Sequence, residues 1–452
     1  MRIALLSLLF VGACAAPREV VPALEALADE NPAEGVVEVS LVAAEADKSF
    51  RGGPKTKVWA YNGTVPGPLI ETEVGDRMVV HFTNQLPEAT TIHWHGVRVP
   101  AAMDGTTAMQ QPIEPGQSFT YDFVTRDEGL FWFHPHMRSD LQVNKGLYGV
   151  IRVRGPRAET VDADLTLVLD DIRLKEDGSI SETLDDRSMM MGREGNTLLV
   201  NGAVSPRVPI PGGATVRLRL VNVANGRFFN LRAEGISLRV LGTDGSRYEE
   251  ARQVDRLLIV PGERYEVVFE APSSGQARLV TEPYDRGHGS MTQDSVAEEL
   301  ALFEFDAKRA VSSPAPLPQG GAQLEALTDG PPEFRATLSE EMGMMETRFL
   351  INGAAWPDVT PWVVTPGVRV FEVKNDSEMD HPFHLHGFFF QVLARDGVGE
   401  PRSALVNKDT LNVPAKSMVR LAARLDEPGR WLYHCHILEH AEAGMVGEIT
   451  VR

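Results

Sequence analysis

Along most of the chain apolar and polar positions alternate with a period of two, and Gly, Pro, Asn and Asp separate the runs. The clearest runs are residues 75–84, 213–222 and 367–375, each opening on Gly and closing on Asn. Val216, Leu218 and Leu220 in the second run, and Val368 and Val370 in the third, share one face of an extended backbone, as half-buried strands require. No stretch carries the period of a long amphipathic helix. A short start precedes each run: Asn62-Gly63-x-x-Pro66, Asn201-Gly202-x-x-x-Pro206 and Asn352-Gly353-x-x-x-Pro357. Their spacing of about 140 and 150 residues marks an internal repeat. The pattern predicts an all-β chain of three β-sandwich domains, at residues 36–157, 158–309 and 333–452. Residues 310–332, rich in Pro, Gly and Ser, form the expected linker before the third.

Length agrees with this division, since 452 residues exceed what one ordinary core encloses. Composition is that of a globular protein, with 43% hydrophobic and 24% charged residues. The formal net charge is −19 and no Lys/Arg cluster is present, which argues against nucleic acid as a partner. At the start, Arg2 and the apolar run 3–11 read as an export signal, too short for a permanent span. Val11-Gly12-Ala13-Cys14 has the form of a lipobox, so residues 1–14 are read as a lipoprotein-type signal and 15–35 as a tether. Ordinary cleavage around Cys14 is the alternative. The expected location is outside the cytoplasm, in the periplasm or on the outer membrane, with membrane contact through an N-terminal lipid only. The chain is expected to be a monomer. Only Cys14 and Cys435 occur, so loss or acylation of Cys14 leaves no disulfide within the mature chain.

The three copies diverge where the chemistry lies. The first carries His93-Trp94-His95 and His134-Pro135-His136; the third carries His384-Leu385-His386 and His434-Cys435-His436. The second has Phe228-Phe229-Asn230 at the first place and no His between Gly275 and Glu282. Side chains at i and i+2 of a strand share a face, so each pair presents two imidazoles together. These pairs hold eight of the twelve histidines, which predicts a metal cluster between the first and third domains, with the second as spacer. His81 and His288 fall outside the pattern. Cys435 points the other way, towards His381 and His440 with Met445 behind. A thiolate, two imidazoles and a weak thioether make up a blue-copper set. Zinc is the rival, but it cannot change redox state. In the first domain Pro135 and Leu147 stand where Cys435 and Met445 would, so only the third can hold a mononuclear copper.

These motifs resemble those of the multicopper oxidases, the laccase and cuprous-oxidase family, over nearly the whole chain after residue 35. The resemblance implies three cupredoxin-like Greek-key domains and copper as cofactor: one type 1, one type 2 and a type 3 pair. It implies that His381, Cys435, His440 and Met445 bind type 1 copper, and His93 and His384 type 2. His95, His134 and His436 would hold one type 3 copper, and His136, His386 and His434 the other. The implied activity couples one-electron oxidation of a phenolic or metal-ion donor, Cu(I) or Fe(II), to reduction of dioxygen to water. Cys435 is then a catalytic residue as the electron link. Asp104 resembles the family's proton-guiding acid, although a turn aspartate before Gly105 is the plainer account. Where many bacterial relatives carry Glu after the last type 1 His, this chain has Ala441, with Glu442 next as the substitute. No twin Arg stands near the start, which implies export before copper is acquired. A copper nitrite reductase, which needs fewer motifs, and a copper-free scaffold, which would lose ligands, are the alternatives.

Methionines cluster twice, as Met189-Met190-Met191 and as Met342, Met344 and Met345 beside Glu340, Glu341 and Glu346. Soft thioethers among acids suit Cu(I), whereas gap-filling in a core is the ordinary role of Met. The charged flanks Arg187 and Arg193 predict that the first group lies at the surface.

Overall fold

The structure is a computed structural model that describes residues 18–50, 52–156, 160–288, 296–343 and 347–452. Its six sheets fall into three facing pairs, in chain order. In the first, the sheet ordered Lys55–Tyr61, Val36–Ser49, Arg77–Asn84, Ser118–Val124 faces the sheet ordered Leu69–Glu73, Gly149–Arg154, Gly129–His134, His93–His95. The third repeats this arrangement, with Trp362–Val364, Val446–Val451, Gly429–Cys435, His381–Leu385 and Thr410–Val413 as the sheet that carries the motifs. Among the described residues helices are short, and none is long and apolar enough to cross a membrane.

The repeated Asn-Gly starts have one physical cause. Asn62, Asn201 and Asn352 adopt φ of 49°, 50° and 53°, and the glycines that follow are also left-handed, which is the geometry of a tight hairpin turn. Each Asn side chain also accepts from a backbone N–H of the neighbouring strand: Val42, Val168 and Thr337, at 2.7–2.8 Å. The run-ending Asn84, Asn222 and Asn375 are fully buried. Each donates through Nδ2 to two loop carbonyls and accepts at Oδ1 from the N–H two residues on. They satisfy backbone groups that would otherwise be buried without partners. In the outer domains they fix the loop from which the first histidine motif departs.

The stretch expected as a tether behaves differently over its described part. Val21 N donates to Arg207 O and Leu27 N to Leu69 O, both at 2.8 Å, and Leu24 and Leu27 pack against the cores. Two apolar side chains and two open strand edges therefore hold residues 18–35 against the first and second sandwiches. Cys14 lies outside the described residues.

Candidate metal centre

Strand alternation builds the site from both sides. In the first sandwich His93 pairs with His134, Trp94 with Phe133 and His95 with Trp132. Trp94 and Phe133 enter the core, so the flanking histidines turn outward. The third sandwich repeats this: Phe383 pairs with Cys435 inside the core, and His384 with His434 on the outer face. The two outer faces meet. His95 stacks on His384 at 3.8 Å and 10°, and His93 stacks on His386 at 3.8 Å and 25°.

Hydrogen bonds decide which nitrogen each ring presents. His93, His134, His384 and His434 donate from Nδ1 to the carbonyls of Asp104, Pro135, Asp409 and Cys435, at 2.9–3.0 Å. His386 Nδ1 donates to Asp104 Oδ2 at 2.9 Å. The Nε2 atoms of these neutral rings are therefore lone pairs. Yet His386 Nε2 lies 3.0 Å from His434 Nε2, and His93 Nε2 lies 3.4 Å from His384 Nε2. Lone pairs that close repel unless a cation stands between them. His95 is turned over: its Nε2 faces Asp409 Oδ1 at 3.1 Å and Thr410 Oγ1 at 3.0 Å, which leaves Nδ1 free. His95 Nδ1, His134 Nε2 and His436 Nε2 are buried without any hydrogen-bond partner. Buried polar atoms are seldom orphaned, and the ligand nitrogens of His93, His95 and His134 lie within 4.8 Å of one another, as do those of His136, His386 and His434, which fits metal ions. Burial also holds the imidazoles neutral, driving the His136 pKa down to about 3 and those of His95, His134, His386, His434 and His436 well below the usual range.

The mononuclear set lies on the inner face of the same strand. Cys435 Sγ is 3.4 Å from His381 Nδ1 and 3.6 Å from His440 Nδ1, and the two nitrogens are 3.3 Å apart. Each ring is anchored by its far nitrogen, His381 Nε2 to Ser377 Oγ at 2.8 Å and His440 Nε2 to Met190 O at 3.0 Å. Both near nitrogens are thus lone pairs aimed at the sulfur. Met445 is fully buried in the same core cluster as Cys435. Burial pushes the Cys435 thiol up, so a thiolate there needs a metal to hold it.

Other sequence readings fare unequally. Asp104 is 1% exposed and touches His386 and His93, while its Oδ1 has no hydrogen-bond partner. Burial opposes its charge, but the two imidazoles outweigh this and hold its pKa well below the usual range. Gly105 beside it has φ of 79°, and a Cβ there would sit 1.8 Å from Ile92 O, so the turn fixes the acid. Glu442 instead accepts from Ser139 N at 2.8 Å and Ser139 Oγ at 3.0 Å. The buried acid on that helix is Glu439, which the sequence reading passed over. Its Oε1 accepts from Asn225 Nδ2 at 2.8 Å and its Oε2 is unpartnered.

Two expectations are corrected. Met190 and Met191 are buried in the third sandwich's core cluster, because the short helix Asp186–Met191 lies against the type 1 histidine while Arg187 pairs with Glu194 and Arg193 with Glu439. Met342 is 72% exposed, as its acidic flanks suggest, while Met344 and Met345 lie outside the described residues. The second domain is also more than a spacer. Its Gly262, with φ of 90°, lies against the rings of His95 and His436, where a Cβ would come within 3.0–3.1 Å. Nothing in the periodicity of residues 262–264 announces this, since their partners are far away in sequence. His81 pairs with Glu38 at 2.6 Å on the surface.

Family models described as multicopper oxidase match residues 43–158, 166–284 and 329–452. A multicopper oxidase of Mycobacterium tuberculosis is 30% identical, over 94% of this chain and 89% of the relative. Laccase-2 of Botryotinia fuckeliana is 26% identical, over 92% of this chain and 82% of its own length. Among solved structures, a multicopper oxidase from Campylobacter jejuni described as a metallo-oxidase superposes with a TM-score of 0.87, at 30% identity over 96% of both chains. With two lone-pair clusters of the required composition and relatives matching along its length, the chain belongs to the multicopper oxidases, copper enzymes of three cupredoxin-like domains that oxidise a donor with dioxygen.

Proposed function

We propose that the donor is a metal ion, Cu(I) or Fe(II), in preference to a bulky phenol. The observation that carries this is the hydrogen bond from His440 Nε2 to Met190 O. The helix Asp186–Met191 covers the edge of the imidazole through which electrons would reach Cys435, and His440 is fully buried. A large ring cannot approach that edge closely, whereas a small ion can dock on the cover. Met189, half-buried between the buried Ser188 and Met190, offers a thioether suited to Cu(I). The description of the Campylobacter jejuni relative as a metallo-oxidase points the same way.

Copper at the two sets would supply the one-electron redox chemistry that links oxidation of the donor to reduction of dioxygen to water. The chain's residues do the rest. His381, Cys435, His440 and Met445 would hold the type 1 metal, and His93 and His384 the type 2 metal. The type 3 pair would take His95, His134 and His436, and His136, His386 and His434. Main-chain bonds tie Cys435 to His434 and His436, and His434 Nδ1 bonds back to Cys435 O, which makes one rigid link between the sets. Asp104, with Oδ2 on His386 Nδ1 and Oδ1 3.3 Å from His93 Nδ1, stays ionised and would accept a proton beside the larger set.

Initial rates with Cu(I), Fe(II) and a phenol on one copper-loaded sample are the test. We expect the metal ions to be oxidised at least about tenfold faster, a barrier difference near 1.4 kcal/mol. Replacing residues 186–191 by a short Gly-Ser link should raise phenol oxidation and lower Cu(I) oxidation. A wild-type enzyme that favours the phenol would refute the reading. Export and acylation at Cys14 complete the proposal, with the chain working as a monomer on the outer side of the membrane; the motif 11–14 supports it. An N-terminal peptide without lipid in mass spectrometry of native material would count against it.

A further inference from the structure

One side chain of the second sandwich grips the acid beside the centre that the outer two enclose. Arg264, at the start of the strand Arg264–Glu270, is 1% exposed. Its Nη1 and Nη2 each donate to Asp409 at 2.6 Å, one to each carboxylate oxygen. Its Nε donates to Leu130 O of the first sandwich at 3.1 Å, and Nη1 also reaches Gly262 O at 3.2 Å. The guanidinium thus ties together all three domains. Asp244 supports it from behind, its Oδ1 accepting from Arg264 N at 2.9 Å. There is no slack around it: a Cβ on Gly96 would lie 2.3 Å from Arg264 Nη2 and 2.7 Å from Asp409 Oδ2.

The carboxylate so held is the one that orients two imidazoles. Asp409 Oδ1 accepts from His95 Nε2 at 3.1 Å and from Thr410 Oγ1 at 2.9 Å. Asp409 O accepts from His384 Nδ1 at 2.9 Å. A neutral imidazole has one N–H, and the partner of that N–H decides which nitrogen is left to bind metal. His95 is the ring that presents Nδ1 where its neighbours present Nε2, and the position of Asp409 Oδ1 makes it so. A carboxylate at this depth keeps one orientation only if a cation grips both oxygens, and a two-pronged guanidinium does this while an ammonium cannot.

We propose that Arg264 is a positioning residue for the trinuclear copper set: by clamping Asp409 it selects the metal-binding nitrogen of His95 and aligns His384. The middle domain, which supplies no ligand, thereby takes part in the geometry of the metal site. The proposal rests on the assignment of His95 and His384 to that set.

The test compares Arg264→Lys with wild type after copper loading, and it uses signals other than turnover. Arg264→Lys keeps the positive charge and removes the two-pronged grip. The blue thiolate absorption reports the type 1 set, all of whose ligands are in the third domain, and serves as the folding reference. We expect it to be unchanged. The type 2 electron paramagnetic resonance signal should shift. Copper retained by the trinuclear set against graded chelator should weaken by about 10- to 100-fold, the usual cost of losing a residue that orients a ligand. Arg247→Lys is the control: this arginine, like Arg264, lines an interdomain cavity of about 590 Å³ but grips Glu266 at 2.8 Å, and its variant should match wild type. An unchanged type 2 signal and unchanged retention in Arg264→Lys would overturn the proposal. So would equal loss of the blue and type 2 signals, which means a general structural role. Should Arg264→Lys fail to fold, Asp244→Asn loosens the same arginine with little change of shape and should move the type 2 signal in the same direction, less far; no movement overturns the proposal. A wild type that lacks any type 2 signal would instead refute the ligand assignment beneath it.

Discussion

The strands Gly129–His134 and Gly429–Cys435 start from the same pattern and end in different chemistry. Both place imidazoles on the outer face, and both are pinned by the same Nδ1-to-carbonyl bond, His134 to Pro135 O and His434 to Cys435 O. On the inner face they part. Leu147 sits fully buried among apolar side chains of the first core, while the corresponding face of the third holds Cys435 and Met445 beside His381 and His440. The outer face of a strand can therefore carry a metal cluster in either setting. A polar centre inside the sandwich needs its own hydrogen-bond partners, which Ser377 and Met190 O supply only in the third. One face serves as an interface and the other as an interior, and alternation lets a single strand serve both.

The comparison is broken most directly at Cys435. Cys435→Ser should abolish the blue absorption and lower turnover by at least about 10³-fold, near 4 kcal/mol of transition-state stabilisation, while far-ultraviolet circular dichroism stays that of the wild type. Blue colour in the variant would remove the inner-face assignment. On the outer face, Asp104→Asn should keep the blue colour and slow turnover by about 10²-fold, as expected for a lost proton-handling group. Steady-state rates and copper content measured together separate that loss from loss of metal. Glu442→Gln, whose carboxylate is engaged by Ser139, should change turnover by less than about threefold, so the ratio of the two effects ranks the two acids.

Removing copper tests what the imidazoles do for stability. With the metals gone, the lone pairs of His93 Nε2 and His384 Nε2 face each other 3.4 Å apart between the first and third domains. Chelated protein should melt at lower temperature than holoenzyme in differential scanning calorimetry and recover on adding copper. A ligand at about 100 times its Kd stabilises by roughly 2.7 kcal/mol. Equal melting temperatures would mean that the interface stands without metal. The smallest effect is expected from Pro135→Cys. It puts a thiol where the third domain has one, but no imidazole joins it on the inner face, so no second blue absorption should appear.

Much of the site was legible because its logic is local. An i, i+2 pair on a strand faces one way whatever the rest of the fold does, so His93/His95, His134/His136, His384/His386 and His434/His436 declared themselves, and Cys435 between two of them had to point inward. The Asn-Gly turns were equally plain, since only a few residues tolerate left-handed backbone there. The sequence leaves Met190 and Met191 between core filling and a surface Cu(I) site, because Arg187 and Arg193 suggest solvent. In the fold Arg193 finds the buried Glu439 at 3.3 Å and Arg187 finds Glu194 at 3.2 Å, so charge at a flank does not mean water at the core.

What the sequence by itself determined, then, is the strand pattern, the threefold repeat and the residues able to bind metal. Those follow from backbone geometry over two to ten positions and from the donor atoms of single side chains. Tertiary contacts alone set which nitrogen of His93, His95, His384 and His386 is free, join Asp104 to His386 and Glu442 to Ser139, and bring Arg264 and Asp409, 145 positions apart, into the clamp. Each of these depends on a partner brought from another segment of the chain, and hydrogen bonds a few ångströms long between distant segments leave no period in the chain that could announce them.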